Sequence, residues 1–334
     1  MAKINIGIDI GAGTLRLVQV SGSHMKKGVS VELPDSLVKD GRIVSIETMA
    51  HFIKDTMRQH GISGTNAAII LKDEQVYTRV LTMPAMTADQ LEVNLPYEFS
   101  DYINEELRDY LFDYAVLNVS DAPLPEDAPA DAAPSKVMEL MAVAAPKELI
   151  EDMKIMCRKA GLKCELLAPE VSAFIGLIRS LGGSADQEYC FVDLSYERIC
   201  MHMFKGDRYI VTRELETGLY IIEQAVADTM NVDRHLARTY LASNYNDCQN
   251  SEACLNAYNN IATELSRAVN FYQFSNPDAN PTDMWFCGEG AGIESLKEEL
   301  KNRMSLNTHS GEELLPGSAQ YGFMLLEAYG ITQE

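Results

Sequence analysis

The chain has 334 residues, 46% of them hydrophobic and 23% charged, a globular balance that excludes wholesale disorder and leaves room for two domains. Lys and Arg number 28 against 49 Asp and Glu, for a formal net charge of −21. A surface that acidic repels phosphate backbones and anionic headgroups, so nucleic acid and direct membrane insertion or binding are not expected. One nucleotide gripped by backbone N–H groups remains compatible with it.

The opening MAKINIGIDIG alternates as a strand and lacks the apolar helix of a signal peptide. No stretch approaches the roughly 18 apolar residues of a membrane span. The seven cysteines are scattered without a C-x-x-C pair, which supports neither a zinc site nor a disulfide framework. Buried reduced thiols and a cytoplasmic location are the expectation.

In chain order, Ile4, Ile6, Ile8 and Ile10 alternate as a strand, Gly11-Ala12-Gly13 turns, and Leu15, Leu17 and Val20 carry a second strand. Lys39-Asp40-Gly41 predicts a turn, Ile46–His60 a helix closed by Gly61, and Ala67–Leu71 a buried strand. A strand at Val76–Met83 ends at Pro84. Thr87-Ala88-Asp89-Gln90 then forms a capping box, with Met86 and Leu91 placed as a hydrophobic staple. Helical spacing continues through Leu95, Phe99 and Tyr102 or Ile103, but Pro96 predicts a kink or a break. Tyr110–Val119 is a strand, and the Pro-rich Ser120–Ser135 an acidic flexible loop. Strands at Val137–Ala144 and Cys164–Leu167 alternate with helices at Pro146–Ala160 and Ser172–Leu181, which is α/β grammar.

Gly182-Gly183-Ser184 marks the domain boundary. Strands follow at Tyr189–Val192, Ile199–Phe204 and Arg208–Leu215, then three helices, the longest around Leu255–Tyr272. Met284–Cys287 runs into Gly288-Glu289-Gly290-Ala291, Ile293–Met304 is helical, and a last helix spans about Ala319 to Tyr329. His202 reads as a strand-face residue. Met83 and Met86 suit either core packing or an adaptable groove.

The two halves begin alike. Ile8-Asp9-Ile10-Gly11-Ala12-Gly13-Thr14-Leu15 lies over Val192-Asp193-Leu194-Ser195-Tyr196-Glu197-Arg198-Ile199, each a strand, an Asp, a tight turn and a strand. Two such hairpins can pinch a polyphosphate, with turn N–H groups as an anion nest and Asp9 and Asp193 holding Mg²⁺ through water. A plain hairpin turn is the competing reading of Gly11–Gly13. The Gly-x-Gly-Ala run after a buried strand adds a third element suited to a nucleoside or its phosphates. The candidate nucleotide-binding residues are therefore Asp9, Gly11, Ala12, Gly13, Thr14, Asp193, Ser195, Gly288, Gly290 and Ala291.

This order of motifs resembles the actin-like ATPase superfamily and, within it, the PilM family of type IV pilus assembly. Gly7–Gly11 with Leu15–Val18, Asp40–Ile43, Arg79–Met86, Asp113–Leu117, Glu264–Ala268 and Gly288–Ala291 carry the resemblance, which runs from about residue 4 to 330. It implies an α/β fold of two actin-like halves, at 1–182 and 185–334. Subdomain 1C would be inserted at about 76–135 and a helical 2B at about 218–280. It implies ATP with Mg²⁺ in the cleft, and a groove between 1A and 1C for the cytoplasmic N-terminus of the membrane protein PilN. The chain would then sit at the inner membrane through its partner and be open to self-association. Glu170 becomes a candidate for positioning a hydrolytic water, against the reading of a solvated carboxylate at a helix start.

The second hairpin departs from the family pattern. Ser195 replaces a Gly, Glu197 brings a carboxylate toward a triphosphate, and Glu289 replaces a Gly in the late motif. These changes predict ATP binding that is weak or lost, turnover that is slow at best, and a scaffold built on an actin-like fold. Two alternatives compete with it. A kinase of the same superfamily needs an intact phosphate cradle, and an FtsA-like division adaptor carries a basic amphipathic helix that is not evident here.

Overall fold

The computed structural model describes residues 3–34, 36–39, 41–121, 135–315 and 322–334. In the first half the elements are β1 (Ile6–Ile10), β2 (Thr14–Ser21), β3 (His24–Glu32), β4 (Val38–Lys39), β5 (Arg42–Ile43), α1 (Ile46–Gln59), β6 (Asn66–Leu71), β7 (Tyr77–Pro84) and α2 (Ala88–Asn94). There follow β8 (Tyr110–Asp121), β9 (Lys136–Pro146), α3 (Lys147–Ala160), β10 (Lys163–Pro169) and α4 (Glu170–Leu181). The second half comprises β11 (Glu188–Leu194), β12 (Ile199–Lys205), β13 (Arg208–Leu215), α5 (Tyr220–Met230), α6 (Arg234–Ser243), α7 (Glu252–Ser275), β14 (Asp283–Cys287), α8 (Glu294–Arg303), β15 (Asn307–Ser310) and α9 (Leu326–Gly330).

The duplication expected from the two Asp hairpins extends to whole sheets. One has the order β3-β2-β1-β6-β10 and the other β13-β12-β11-β14-β15. In each, an antiparallel three-strand meander continues into two strands parallel to its first strand. Asp9 and Asp193 thus occupy matching places, near the C-terminal end of the central strand of each sheet. In open α/β sheets that end is where ligands bind.

A helical layer lies between the two sheets. On α4, Phe174 stacks on Phe191 of β11 at 4.7 Å, and α9 packs against α4, β1 and β2. A Cβ on Gly330 would overlap the carbonyl oxygen of Ala173, and one on Gly176 that of Gly330. The two glycines let the helix backbones touch. His202 of β12 also faces this layer, fully buried, with Nδ1 2.8 Å from Thr212 Oγ1. Burial pushes its pKa down to about 4, so it is a neutral core residue.

The small sheet inserted in the first half has the order β7-β9-β8. Its middle strand is residues 136–146, so the unit extends past the expected limit at 135: both flanking strands need β9 for their hydrogen bonds. The expected break at Pro96 is present, because α2 stops at Asn94 and a 3-10 turn at Leu95–Phe99 takes the proline in its first turn. Residues 100–103 are therefore not helical, contrary to the spacing. The Thr87–Gln90 capping box forms, and Met83 lies buried with Leu91, Met138 and Leu140, a core residue. The predicted loop falls at 122–134 outside the described residues, while Ser120 and Asp121 belong to β8. Asp40 and residues 319–321 of the predicted last helix lie outside them too. Of that helix only Leu326–Gly330 is α-helical, flanked by 3-10 turns at Gly322–Met324 and Ile331–Gln333.

Gly330→Ala should destabilise the protein by roughly 1–3 kcal/mol, since the added methyl meets backbone that cannot step aside. Gly13→Ala meets nothing nearer than Arg238 Nη1 at 3.9 Å and should stay close to wild type. Urea denaturation of the two variants checks the contrast.

Candidate nucleotide cleft

Antiparallel pairing of β1 with β2 sets Asp9 opposite Arg16. Parallel pairing of β1 with β6 brings in Lys72, the residue after β6. Arg16 Nη1 donates to Asp9 Oδ2 at 2.6 Å, and Lys72 Nζ lies 2.9 Å from Asp9 Oδ1. The same ammonium donates to Glu170 Oε1 at 2.8 Å and to Glu327 Oε2 at 2.9 Å. One cation therefore ties β1, α4 and α9 together at the base of the cleft. All five residues are at least nine-tenths buried.

Burial opposes every one of these charges, and the pairing decides which survive. Burial would raise Asp9 and Glu170, but Lys72 overrides it in both, helped at Asp9 by Arg16. Asp9 falls below its ordinary value and Glu170 drops to about 2. Burial would strip the protons from Lys72 and Arg16, but Asp9 and the other carboxylates hold them on. For Glu327, burial wins over Lys72, and Glu170 pushes the same way, so its carboxyl is raised well above the usual range. Asp9 and Glu170 thus balance Arg16 and Lys72, while burial pushes Glu327 toward its neutral form.

Asp193 stands outside this balance. Its Oδ2 accepts from Ser195 Oγ at 2.6 Å, while Oδ1 has no hydrogen-bond partner among the described residues. Burial, then Glu170, raises its pKa to about 6. Gly288 follows β14 with φ +78°, and a Cβ there would overlap Asp193 Oδ1. This glycine serves the packing of two protein loops. Above it, Glu289 Oε1 accepts from Thr14 Oγ1 at 2.9 Å, and Arg16 Nη2 approaches it at 3.4 Å. Arg198 spans the cleft to Glu74 and reaches Glu214 at 3.4 Å on its own side.

The resulting cleft is open to solvent and holds about 50 Å³, well below the several hundred Å³ of a typical small-molecule site. Gly11, Ala12, Gly13, Glu170, Asp193 and Ser195, all expected from sequence, line it together. Glu197 and Glu289 line it as well, as do Arg16, Lys72, Glu74, Tyr196 and Arg198. Asp9 lies beneath the surface, and Thr14 contributes its hydroxyl to Glu289. Gly288, Gly290 and Ala291 pack below the wall and do not line it; Ala291 is fully buried. The solvated reading of Glu170 is overturned: it is 3% exposed, because Lys72 draws it inward. Lys72 and Glu327 were missed. Each had a signal, a charge bordering the apolar run Ala67–Leu71 or interrupting the run Leu325–Tyr329.

The Asp193 side leaves one acidic oxygen unpartnered for a divalent cation. Cys287 and Glu327 have ligand atoms within 4.8 Å. Burial raises the pKa of both and Lys72 already holds Glu327, so neither is a ready ligand. Such a cation fits Asp9 poorly, because Arg16 and Lys72 already occupy both oxygens.

Lys72→Met should cost roughly 3–5 kcal/mol, the penalty of stranding buried carboxylates, read as a lower urea midpoint. Asp193 works the other way. A carboxyl whose folded pKa is raised from 3.8 to about 6 loses stability as pH climbs through that window, because the unfolded chain releases its proton first. Asp193→Asn should therefore stabilise the protein by about 3 kcal/mol at pH 7.5, the gain shrinking toward pH 4. Paired denaturation curves at the two pH values measure it.

Comparison with known proteins agrees with this geometry. The sequence profile described as Type IV pilus assembly protein PilM matches residues 7–312. A search of curated proteins found no match. Among solved structures, the PilM-PilN type IV pilus biogenesis complex aligns with a TM-score of 0.80 at 21% identity, over 98% of this chain and 97% of that one. EutJ, the ethanolamine utilization protein from Carboxydothermus hydrogenoformans, aligns at 0.60 with 13% identity, over 98% and 89%. MreB5 of Spiroplasma citri bound to AMPPNP aligns at 0.52 with 10% identity, over 99% and 95%. These likenesses establish the actin-like ATPase fold. Since the profile spans most of the sequence, the chain belongs to the PilM family of type IV pilus assembly proteins.

Proposed function

We propose that this PilM-family protein is a scaffold that docks the N-terminal peptide of a PilN-like membrane protein and binds ATP weakly or not at all. The charge state of the cleft carries the nucleotide half of the reading. Five carboxylates (Glu74, Glu170, Asp193, Glu197 and Glu289) line it against three cations, Arg16, Lys72 and Arg198. Arg16, Lys72 and Arg198 are each already paired with carboxylates. A triphosphate adds several negative charges to that surface and must displace those pairs. Mg²⁺, when bound, would neutralise part of the phosphate charge from Asp193. On this reading Glu170, salt-bridged and ionised, holds Lys72 in place and is a poor candidate for taking a proton from water.

The partner half draws on the likeness to a PilM-PilN complex. A shallow notch of about 10 Å³ lies near where the chain leaves the main sheet for the small one. Val38, Gly41, Ile43, Gln75 and Met153 contribute to its lining. Its lining is mixed, with Glu74 and Gln75 beside Val38, Ile43 and Met153, and an extended peptide docking there would have to widen it to seat an anchoring side chain. Docking there would hold the chain at the inner membrane, and no helix among the described residues is long and apolar enough to cross a bilayer.

Calorimetry with the PilN-like N-terminal peptide and with Mg-ATP tests both halves. Peptide binding should weaken at least ~10-fold in Ile43→Arg, about 1.4 kcal/mol, with the urea midpoint retained. Mg-ATP should give a Kd of about 1 mM or weaker. Micromolar Mg-ATP affinity with turnover would replace the scaffold by a working ATPase.

A further inference from the structure

The cleft already contains an anion, and it belongs to the protein. Glu289 extends from the loop after β14 in the second half. Its Oε1 gathers the Thr14 hydroxyl at 2.9 Å and the Arg16 guanidinium at 3.4 Å, both from the first half. Beside these donors the turn at Gly11–Gly13 faces the cleft, and the nearest atom to a Cβ on Gly13 is Arg238 Nη1 at 3.9 Å. A hydroxyl and a guanidinium meet on one oxygen, with a glycine turn lining the cleft beside them, and these are the donor types of an oxyanion site. Arg16 is 4% exposed and anchored on Asp9 at 2.6 Å, so its second nitrogen is held in position. Glu289 differs from the buried acids beneath it: its side chain is 26% exposed, and it has room to swing out.

We infer that Glu289 is a resident stand-in for a phosphoryl group, filling an oxyanion site intact beneath it and pinning the two halves together without a ligand. The inference rests on the weak-nucleotide reading and supplies its cause. Tethering gives the Glu289 carboxylate a high effective concentration at the donors, which a free phosphate must exceed. Its negative charge also repels an arriving phosphate that does not displace it. Other links between the halves, among them Lys72 to Glu327 at 2.9 Å, Arg198 to Glu74, Arg208 to Glu139 and Arg238 to Glu32 at 3.7 Å, keep the fold assembled when Glu289 is removed.

The test compares wild type, Glu289→Gly and Glu289→Gln, titrated by calorimetry with inorganic phosphate and separately with Mg-ATP. Circular dichroism and a urea midpoint establish that each variant is folded. Glu289→Gly should bind both probes at least ~10-fold tighter than wild type, about 1.4 kcal/mol. Glu289→Gln keeps an acceptor oxygen without the charge and should gain less. Adding Thr14→Val to Glu289→Gly should reverse part of the gain, placing the probe on these donors. Without ligand, amide exchange at residues 11–14 and 288–291 should be faster in Glu289→Gly, because the pin is gone. Unchanged affinity in a folded Glu289→Gly would overturn the inference while leaving the weak-nucleotide reading standing. Micromolar Mg-ATP binding by wild type would overturn that reading, and the ratio of variant to wild type would still decide whether Glu289 competes. Unchanged exchange would refute the pinning role.

Discussion

Everything at the centre of this protein hangs on the ammonium of Lys72. It contacts Asp9 on the central strand of the first sheet, Glu170 at the start of the linking helix and Glu327 on the helix that closes the layer. A buried ion pair is weak as a source of net stability, because desolvation takes back most of the Coulomb attraction. Its value here is specificity of arrangement: the placement of α4 and α9 brings Glu170 and Glu327 to the one ammonium that also holds Asp9. The glycine contact between the helices then fixes how closely they approach.

The same arrangement explains why the cleft can have an ATPase shape while its cations are already engaged. In a nucleotide site, positive side chains wait for phosphate and acidic ones for metal. In this protein they have found each other, apart from Asp193, whose unpartnered oxygen leaves the second half acid-rich. The duplicated topology persists because it is set by strand pairing and apolar cores. Those features do not depend on what occupies the cleft.

The duplication was legible in the sequence because a strand, an Asp and a tight turn are local signals, repeated at Asp9 and Asp193. So was the break at Pro96, where a missing N–H and a ring clash act within one turn. Lys72 was not legible as the hub, since its partners at positions 9, 170 and 327 meet only through parallel strand pairing and a returning helix. Glu170 was misread for the same reason. The helix-dipole argument sees only its own turn, whereas a cation from another strand draws the side chain inward. The limit of the inserted sheet was set one strand short, because a low-complexity segment resembles a boundary even when the next strand pairs back across it. Glu289 was read as an obstacle, and only the opposing hairpin shows that its charge has partners.

The return of α9 to the first sheet also bears on the order of events during synthesis. The first 182 residues emerge from the ribosome with one face of their sheet, including Ala68 and Ile70, lacking Ile331, which covers it in the finished fold. Lys72, Asp9 and Glu170 are likewise present before Glu327 arrives. The N-terminal half is thus incomplete until nearly all of the second half has been made, and the usual domain-by-domain progression gives way to a late, joint closure. A nascent chain paused near the boundary at Gly182 would display a wet, partly apolar surface, suited to chaperone capture, at the place where the mature protein is most tightly sealed.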